Sequence, residues 1–250
     1  MPEREPIGWG RTHWRTDDSP PPGHAWQGAS VSSFGTPFIL QQRFSVGLSP
    51  RVENPIRKHD TSGMTETASL TGQFLIAMPA MTDPNFEQTV SYICQHNENG
   101  ALGIVVNRTM ELTMGDVLGQ MNIPANLCSR AGQSVHYGGP VQSERGFILH
   151  DRPADWESTL AIDDHIGLTT SRDVLEAIAR NAGPEHALIA LGYAGWGSGQ
   201  LEHEITQNAW LSGPADLELI FSTPVEQRWS RAAGLLGIDL TLLSREAGHA

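Results

Sequence analysis

Hydrophobic positions are distributed unevenly along this chain. Residues 1–63 show no sustained period of 2 or 3.6, and their one apolar cluster, Pro37-Phe38-Ile39-Leu40, is short and isolated. Eight of the 16 prolines fall there, including Pro20-Pro21-Pro22. Such a segment buries too little apolar surface to offset its ordering entropy. A disordered N-terminal extension is therefore expected over residues 1–63. Its Arg, Pro, Gly, Trp and Ser mixture also resembles translated upstream sequence, with Met64 as the native start; a regulatory tail is the alternative.

From Leu70 the pattern changes, and a domain is expected over 64–250. Gln73–Met78 is an apolar run closed by Pro79, the mark of a buried strand. Thr89–Cys94 and Leu102–Asn107 flank the turn-rich His96–Gly100 and predict a hairpin. Thr113 opens a helix through Met121, with Asp116 placed to complete a capping box. Strands are expected at Val135–Tyr137 and Gly146–His150, either side of Gly138-Gly139-Pro140, and again at Ile166–Thr169. Thr170 reads as the cap of a helix with Val174, Leu175 and Ile178 on one stripe and Gly183-Pro184 as its stop. Ala187–Leu191 reads as a strand entering a Gly-rich turn, Leu217–Phe221 as a strand, and Val225–Leu236 as a last helix.

Strands and helices are mixed without regular β-α-β alternation, which predicts an α+β or mixed α/β fold. No internal repeat is present.

Composition narrows the function classes. The net charge is −12. Residues 1–63 carry seven of the 16 basic and six of the 28 acidic residues, which leaves nine basic and 22 acidic residues, net −13, for 64–250. All nine are arginines dispersed from Arg108 to Arg245, and the one lysine, Lys58, lies in the first part. A surface of that sign repels DNA at long range, so direct nucleic-acid binding is not expected. Cys94 and Cys128 are too few for a disulfide framework and read as reduced thiols of a cytoplasmic protein. No run approaches the ~20 apolar residues of a membrane helix, and the N-terminus lacks a secretory pattern.

Three stretches stand out: Gly72–Phe86 (Gly-Gln-Phe-Leu-Ile-Ala-Met-Pro-Ala-Met-Thr-Asp-Pro-Asn-Phe), Gly138–His150 (Gly-Gly-Pro-Val-Gln-Ser-Glu-Arg-Gly-Phe-Ile-Leu-His) and Leu191–Glu204 (Leu-Gly-Tyr-Ala-Gly-Trp-Gly-Ser-Gly-Gln-Leu-Glu-His-Glu). With Phe86 through Asn107-Arg108, and Asn208–Leu211 followed by Asp216 and Ile220-Phe221, they resemble the AlgH/YqgE family of small bacterial proteins over roughly residues 69–248. The resemblance implies a single compact domain with a mixed, partly barrel-like sheet and helices packed around it. It also carries the family's customary label, transcriptional regulator, but no reaction.

The candidate chemistry is sparse. Gly195, Trp196, Gly197, Ser198 and Gly199 precede a helix-like segment, where backbone amides can meet an anion. The spacing matches neither a P-loop nor a nucleophile elbow, and a tight, Trp-packed turn with positive φ is the favoured reading over a ligand pocket. His203-Glu204 lacks the second histidine of a zinc helix, since Gln207 stands there. His96, His136, His150, His165 and His186 show no ligand spacing and read as strand-end or surface residues; only the pair His150-Asp151 suggests an oriented imidazole. Ser198, Cys94 and Cys128 are possible nucleophiles without an evident base. Arg108 and Arg145 either anchor turns through carboxylates or face one cleft that takes an acidic group. The expectation is therefore a regulatory or interaction protein with a protein partner, with no catalytic residue, metal set or cofactor assigned. The alternative is a small-ligand binder or enzyme at the Gly195–Gly199 turn.

Overall fold

The computed structural model describes residues 69–151, 156–240 and 243. The expected extension over 1–63, and with it the choice of Met64 as start, lies outside the described residues.

Ten strands form one curled sheet: β1 (Gln73–Ala77), β2 (Val90–Asn97), β3 (Gly100–Val105), β4 (Thr109–Thr113), β5 (Ser134–Tyr137), β6 (Val141–Asp151), β7 (Thr159–Ala161), β8 (Ile166–Thr169), β9 (Ala187–Gly197) and β10 (Trp210–Pro214). Their order is β10-β1-β2-β3-β9-β6-β8-β7, with β5 beside β9 and β4 beside β5. Every pairing is antiparallel except β5 with β9. The helices are α1 (Met114–Gln120), α2 (Arg172–Ala179), α3 (Gln200–Thr206), α4 (Leu217–Phe221) and α5 (Arg228–Leu235). The result is the mixed, partly barrel-like sheet with flanking helices that the family resemblance implied, and the α+β class that the residue pattern predicted.

The eleven-residue β9 organises this sheet. Its first half lies between β6 and β5, while Ala194–Gly197 pair with β3. Register shifts in β2, between Ile93 and Gln95, and in β6, between Val141 and Gly146, bend the neighbouring strands. A strand that changes partner along its length lets the sheet curl.

Side-chain alternation divides the core into three. Phe74 and Ile76 of β1, Tyr92 of β2 and Leu188 and Ala190 of β9 bury inside the curl, with Ile220 of α4 and Ala232 and Ala233 of α5. Ile189 and Leu191 point the other way, onto α1 and α2. Further along that outer face, Leu75, Ala77, Ile93, Ala194 and Trp196 meet Phe86, Leu201 and Trp210.

Four local expectations are corrected. Leu217–Phe221 is helix, not strand: Asp216 caps it by accepting from Leu219 N at 3.1 Å, and only Leu219 and Ile220 bury. Four apolar residues in a run of five are too few for periodicity to choose between the two. The segment Gly192–Gly197 is extended strand rather than turn, so the turn shrinks to Ser198-Gly199. Ser171, not Thr170, is the N-cap of α2. The last helix begins as a 3-10 turn over Val225–Gln227 before α5.

Candidate functional site

The Gly-rich end of β9 builds a buried polar knot. Trp196 is 1% exposed and Glu204 6%. The Glu204 Oε2 accepts from Trp196 Nε1 at 3.0 Å and from Trp210 Nε1 at 2.8 Å, and its Oε1 accepts from Gln200 Nε2 at 2.9 Å. Gln200 in turn accepts from Gly197 N at 2.9 Å. The two indoles cross edge-to-face at 5.9 Å, and Phe86 lies against both. One carboxylate thus joins β9, α3 and β10. Beside it, His96 Nδ1 accepts from Leu70 N at 3.0 Å, which places its proton on Nε2, facing Glu202 Oε1 at 2.8 Å. Of the glycines singled out here, Gly199 has a left-handed φ of 71° at the start of α3. Gly195 pairs with Leu102 within the sheet.

The candidate nucleophiles are engaged elsewhere. Ser198 Oγ donates to the Glu98 carbonyl at 2.6 Å. Cys94 is buried, and burial pushes its thiol well above the usual range. Cys128 is buried with Sγ 3.7 Å from the Ile178 carbonyl.

The two arginines fall in different places. Arg108 donates from Nη1 to Pro84 O at 2.6 Å and from Nη2 to Glu87 O at 2.7 Å, so it anchors a turn through carbonyls rather than carboxylates. Its neighbour Asn107 accepts from Val90 N and donates to Gln88 O, both at 2.8 Å, so the pair clamps the 83–89 loop. Arg145 lies over the Phe147 ring at 5.4 Å and donates to Gln142 Oε1 at 3.3 Å. Burial lowers its pKa.

Three histidines taken as strand-end or surface residues are interior. His96 is 8% exposed, His136 6% and His150 0%. His150 Nε2 lies 2.9 Å from Thr169 Oγ1, which lies 2.6 Å from Thr159 Oγ1. Asp151 meets His150 through its backbone, its carbonyl oxygen lying 3.2 Å from His150 Nδ1. The Asp151 carboxylate faces His186, accepting from His186 N at 3.0 Å through Oδ1 and meeting Nδ1 at 3.0 Å through Oδ2.

Two pockets lie apart from the Gly-rich segment. One, of about 370 Å³, runs between the α1–β5 connection and α2 and is lined by Ile123, Pro124, Leu127, Ala179, Arg172 and Arg180, among others. Leu127 is 74% exposed at its edge. The second, of about 390 Å³, includes Asp151, His165, Glu185, His186 and Phe221. Ligand atoms of Asp151, Glu185 and His186 lie within 4.8 Å of one another. Neither grouping was visible in the sequence, because its members stand far apart along the chain; the His150-Asp151 pair pointed to the second pocket with the wrong histidine.

The AlgH-like family model matches residues 74–241. The chain belongs to the AlgH-like family. A UPF0301 protein of Thioalkalivibrio sulfidiphilus is 53% identical over 187 residues, which is 75% of this chain and 100% of that protein. Another from Methylococcus capsulatus is 51% identical over 185 residues, 74% of this chain and 98% of its own. The solution structure of the AlgH protein from Pseudomonas aeruginosa superposes with a TM-score of 0.62 at 47% identity, covering 76% of this chain and 100% of that one. A crystal structure of a Corynebacterium diphtheriae protein shares the fold at 18% identity, with a TM-score of 0.58 over 72% of this chain and 93% of its own.

The AlgH-like stretches now have structural reasons. Gly138 and Gly139 cross β9 so closely that an added Cβ would lie 2.3 Å from Gly192 O and 2.2 Å from the Tyr193 carbonyl carbon, respectively. Asp83-Pro84-Asn85-Phe86 is the loop held by Asn107 and Arg108, with Asp83 Oδ1 accepting from Asn85 N at 2.8 Å. Leu191–Glu204 supplies β9 and the Trp–Glu knot.

Proposed function

We propose that this AlgH-like protein is a cytoplasmic, non-enzymatic regulatory protein that acts through a protein partner, and that the partner docks on the groove around Leu127. An exposed leucine beside Ile123 and Pro124 is the feature that carries this reading. Concave apolar surface with a polar rim marks an interaction site. Arg172 and Arg180 on the groove wall favour a partner segment that carries a carboxylate next to its apolar anchor. Arg172 is already held there by Glu176 Oε1 at 2.8 Å and Met121 O at 2.7 Å, so one guanidinium is preset in its geometry.

The candidate nucleophiles favour the same reading. Ser198 is committed to a carbonyl and Cys94 to the core. The Gly195–Gly199 alternative loses its main support as well, since most of that segment is paired strand. A role in transcription would then be indirect.

The test is a pull-down from lysate of the source bacterium with the full chain, Leu127→Asp, and Leu235→Asp as an exposed control. The control residue is 47% exposed on α5. We expect a discrete protein retained by the parent and by the control and lost with Leu127→Asp. Retention that ignores Leu127, or turnover in a metabolite screen of the purified protein, contradicts the reading.

A further inference from the structure

The second pocket gathers ligand chemistry at one end of the sheet. Antiparallel register places Asp151, the last residue of β6, beside Ile166 of β8, and His150 beside Ala187 of β9. The residues just outside β8 and β9, His165 and His186, therefore arrive at the same edge as Asp151. Glu185 precedes His186 and adds a second carboxylate. Its backbone is fixed from behind, because Arg130 Nη2 donates to the carbonyls of Pro184, at 2.9 Å, and of Glu185. On the opposite wall, the Phe221 ring of α4 lies 5.8 Å from the His186 ring, tilted by 34°.

We propose that Asp151, Glu185 and His186 bind one divalent transition-metal ion of the zinc class in this pocket. The donor set is one imidazole and two carboxylates, which suits borderline transition ions better than hard ones such as Mg²⁺. The spacing fits as well. His186 Nδ1 and Asp151 Oδ2 lie 3.0 Å apart. Two ligands of one tetrahedral ion, each bonded at about 2.0–2.2 Å, stand about 3.4 Å from each other, so the pair needs to part by only a few tenths of an ångström. The ion takes the place of the hydrogen between these atoms, and the neutral imidazole carries its proton on Nε2 instead. Glu185 supplies the third ligand atom from within the same 4.8 Å group. His165 lines the same pocket. Such an ion ties the 184–186 loop to β6, at a site distinct from the Leu127 groove.

The experiment is calorimetric titration of the full chain with ZnCl₂ and, separately, MgCl₂. One Zn²⁺ per chain is expected with a dissociation constant of roughly 10 μM or tighter, and Mg²⁺ at least about 100-fold weaker. His186→Ala and Glu185→Gln should each weaken Zn²⁺ by about tenfold or more, while His203→Ala should not. The His186 side chain is 46% exposed, so its removal leaves the core intact; Glu185→Gln tests the site without touching the Asp151 pair. Zinc should also shift the amide resonances of Ile166 and Ala187, which locates the ion among the chain's ten histidines. No binding tighter than about 1 mM, or an affinity unchanged in both variants, overturns the proposal.

Discussion

His136 is a neutral imidazole held in the interior next to a cation. Burial, and then the Arg228 charge, lower its pKa to about 4, with the Ile189 backbone working the other way. The unfolded value is near 6.5. Between these values the unfolded chain binds the proton and the fold does not, so stability rises with pH in that window. His136 therefore leaves stability intact above about pH 6.5 and erodes it as the pH falls towards 4, by about 3 kcal/mol in all. Urea unfolding of His136→Leu at several pH values should show a shallower acid slope than the parent; equal slopes contradict the buried-imidazole account. Nothing in the residues around His136 announces this burial. Alternating patterning marks Val135 and Tyr137 as one face of a strand, but a histidine between them is ordinarily solvent-facing. Arg228 of α5, which donates to the Val106 carbonyl, is the cation whose charge reaches it. Arg228 shows the same effect: burial lowers its pKa to about 10, and it is satisfied by the carbonyls of Thr223 and Val106. Glycines sort along similar lines. Gly139 combines a φ of 149° with backbone 2.2 Å from a would-be Cβ, whereas Gly199 has a φ of 71° and open space. Gly139→Ala should cost about 3 kcal/mol or more and Gly199→Ala about 1 kcal/mol, measured as a difference in unfolding free energy. Equal costs would show that the close crossing is not what selects glycine.

At the scale of elements, Glu204 is the joint between β9, α3 and β10. Glu204→Gln keeps one oxygen that can accept from both indoles but sets an NH2 against the Gln200 Nε2 donor. A loss of about 1–3 kcal/mol is expected as the Gln200 donor is left unpaired, together with a shift in tryptophan fluorescence as the charge beside the indoles is removed. Wild-type stability would mean that the aromatic packing of Phe86, Trp196 and Trp210 holds the corner alone. The elements themselves were legible where sequence pattern is strong. The β2–β3 hairpin, β8, α2 and the Thr113–Asp116 capping box all follow from alternation or cap chemistry. The short and edge elements were not. Strand β4 is half-exposed Thr-Met-Glu-Leu-Thr and β7 only Thr-Leu-Ala, so neither carries a distinctive period. Helix α4 was misread because four apolar residues in a run of five fit either state. In β9, glycine was taken as turn chemistry, yet its role is to let the 138–139 connection pass over the strand.

For the whole molecule, charge and topology limit what the surface can do. No helix among the described residues is long and apolar enough to cross a membrane. Residues 64–250 carry nine arginines against 22 carboxylates. Several of those arginines are already committed: Arg108 and Arg130 hold loop carbonyls, and Arg228 is buried. A fluorescence-anisotropy titration of duplex DNA near physiological salt should show no saturable binding tighter than about 1 μM; tighter binding would restore direct regulation. What the sequence made readable at this scale was the family and the sheet. The groove and the Asp151–His186 cluster were hidden, since each is assembled from loops and strand ends far apart in the chain. The central claim is that a protein partner docks at Leu127, and a photo-crosslinking side chain placed at position 127 in the source bacterium tests it most directly. The account predicts a discrete protein adduct that is absent when the same group stands at position 235. Adducts equal at both positions, or none at 127, would contradict it.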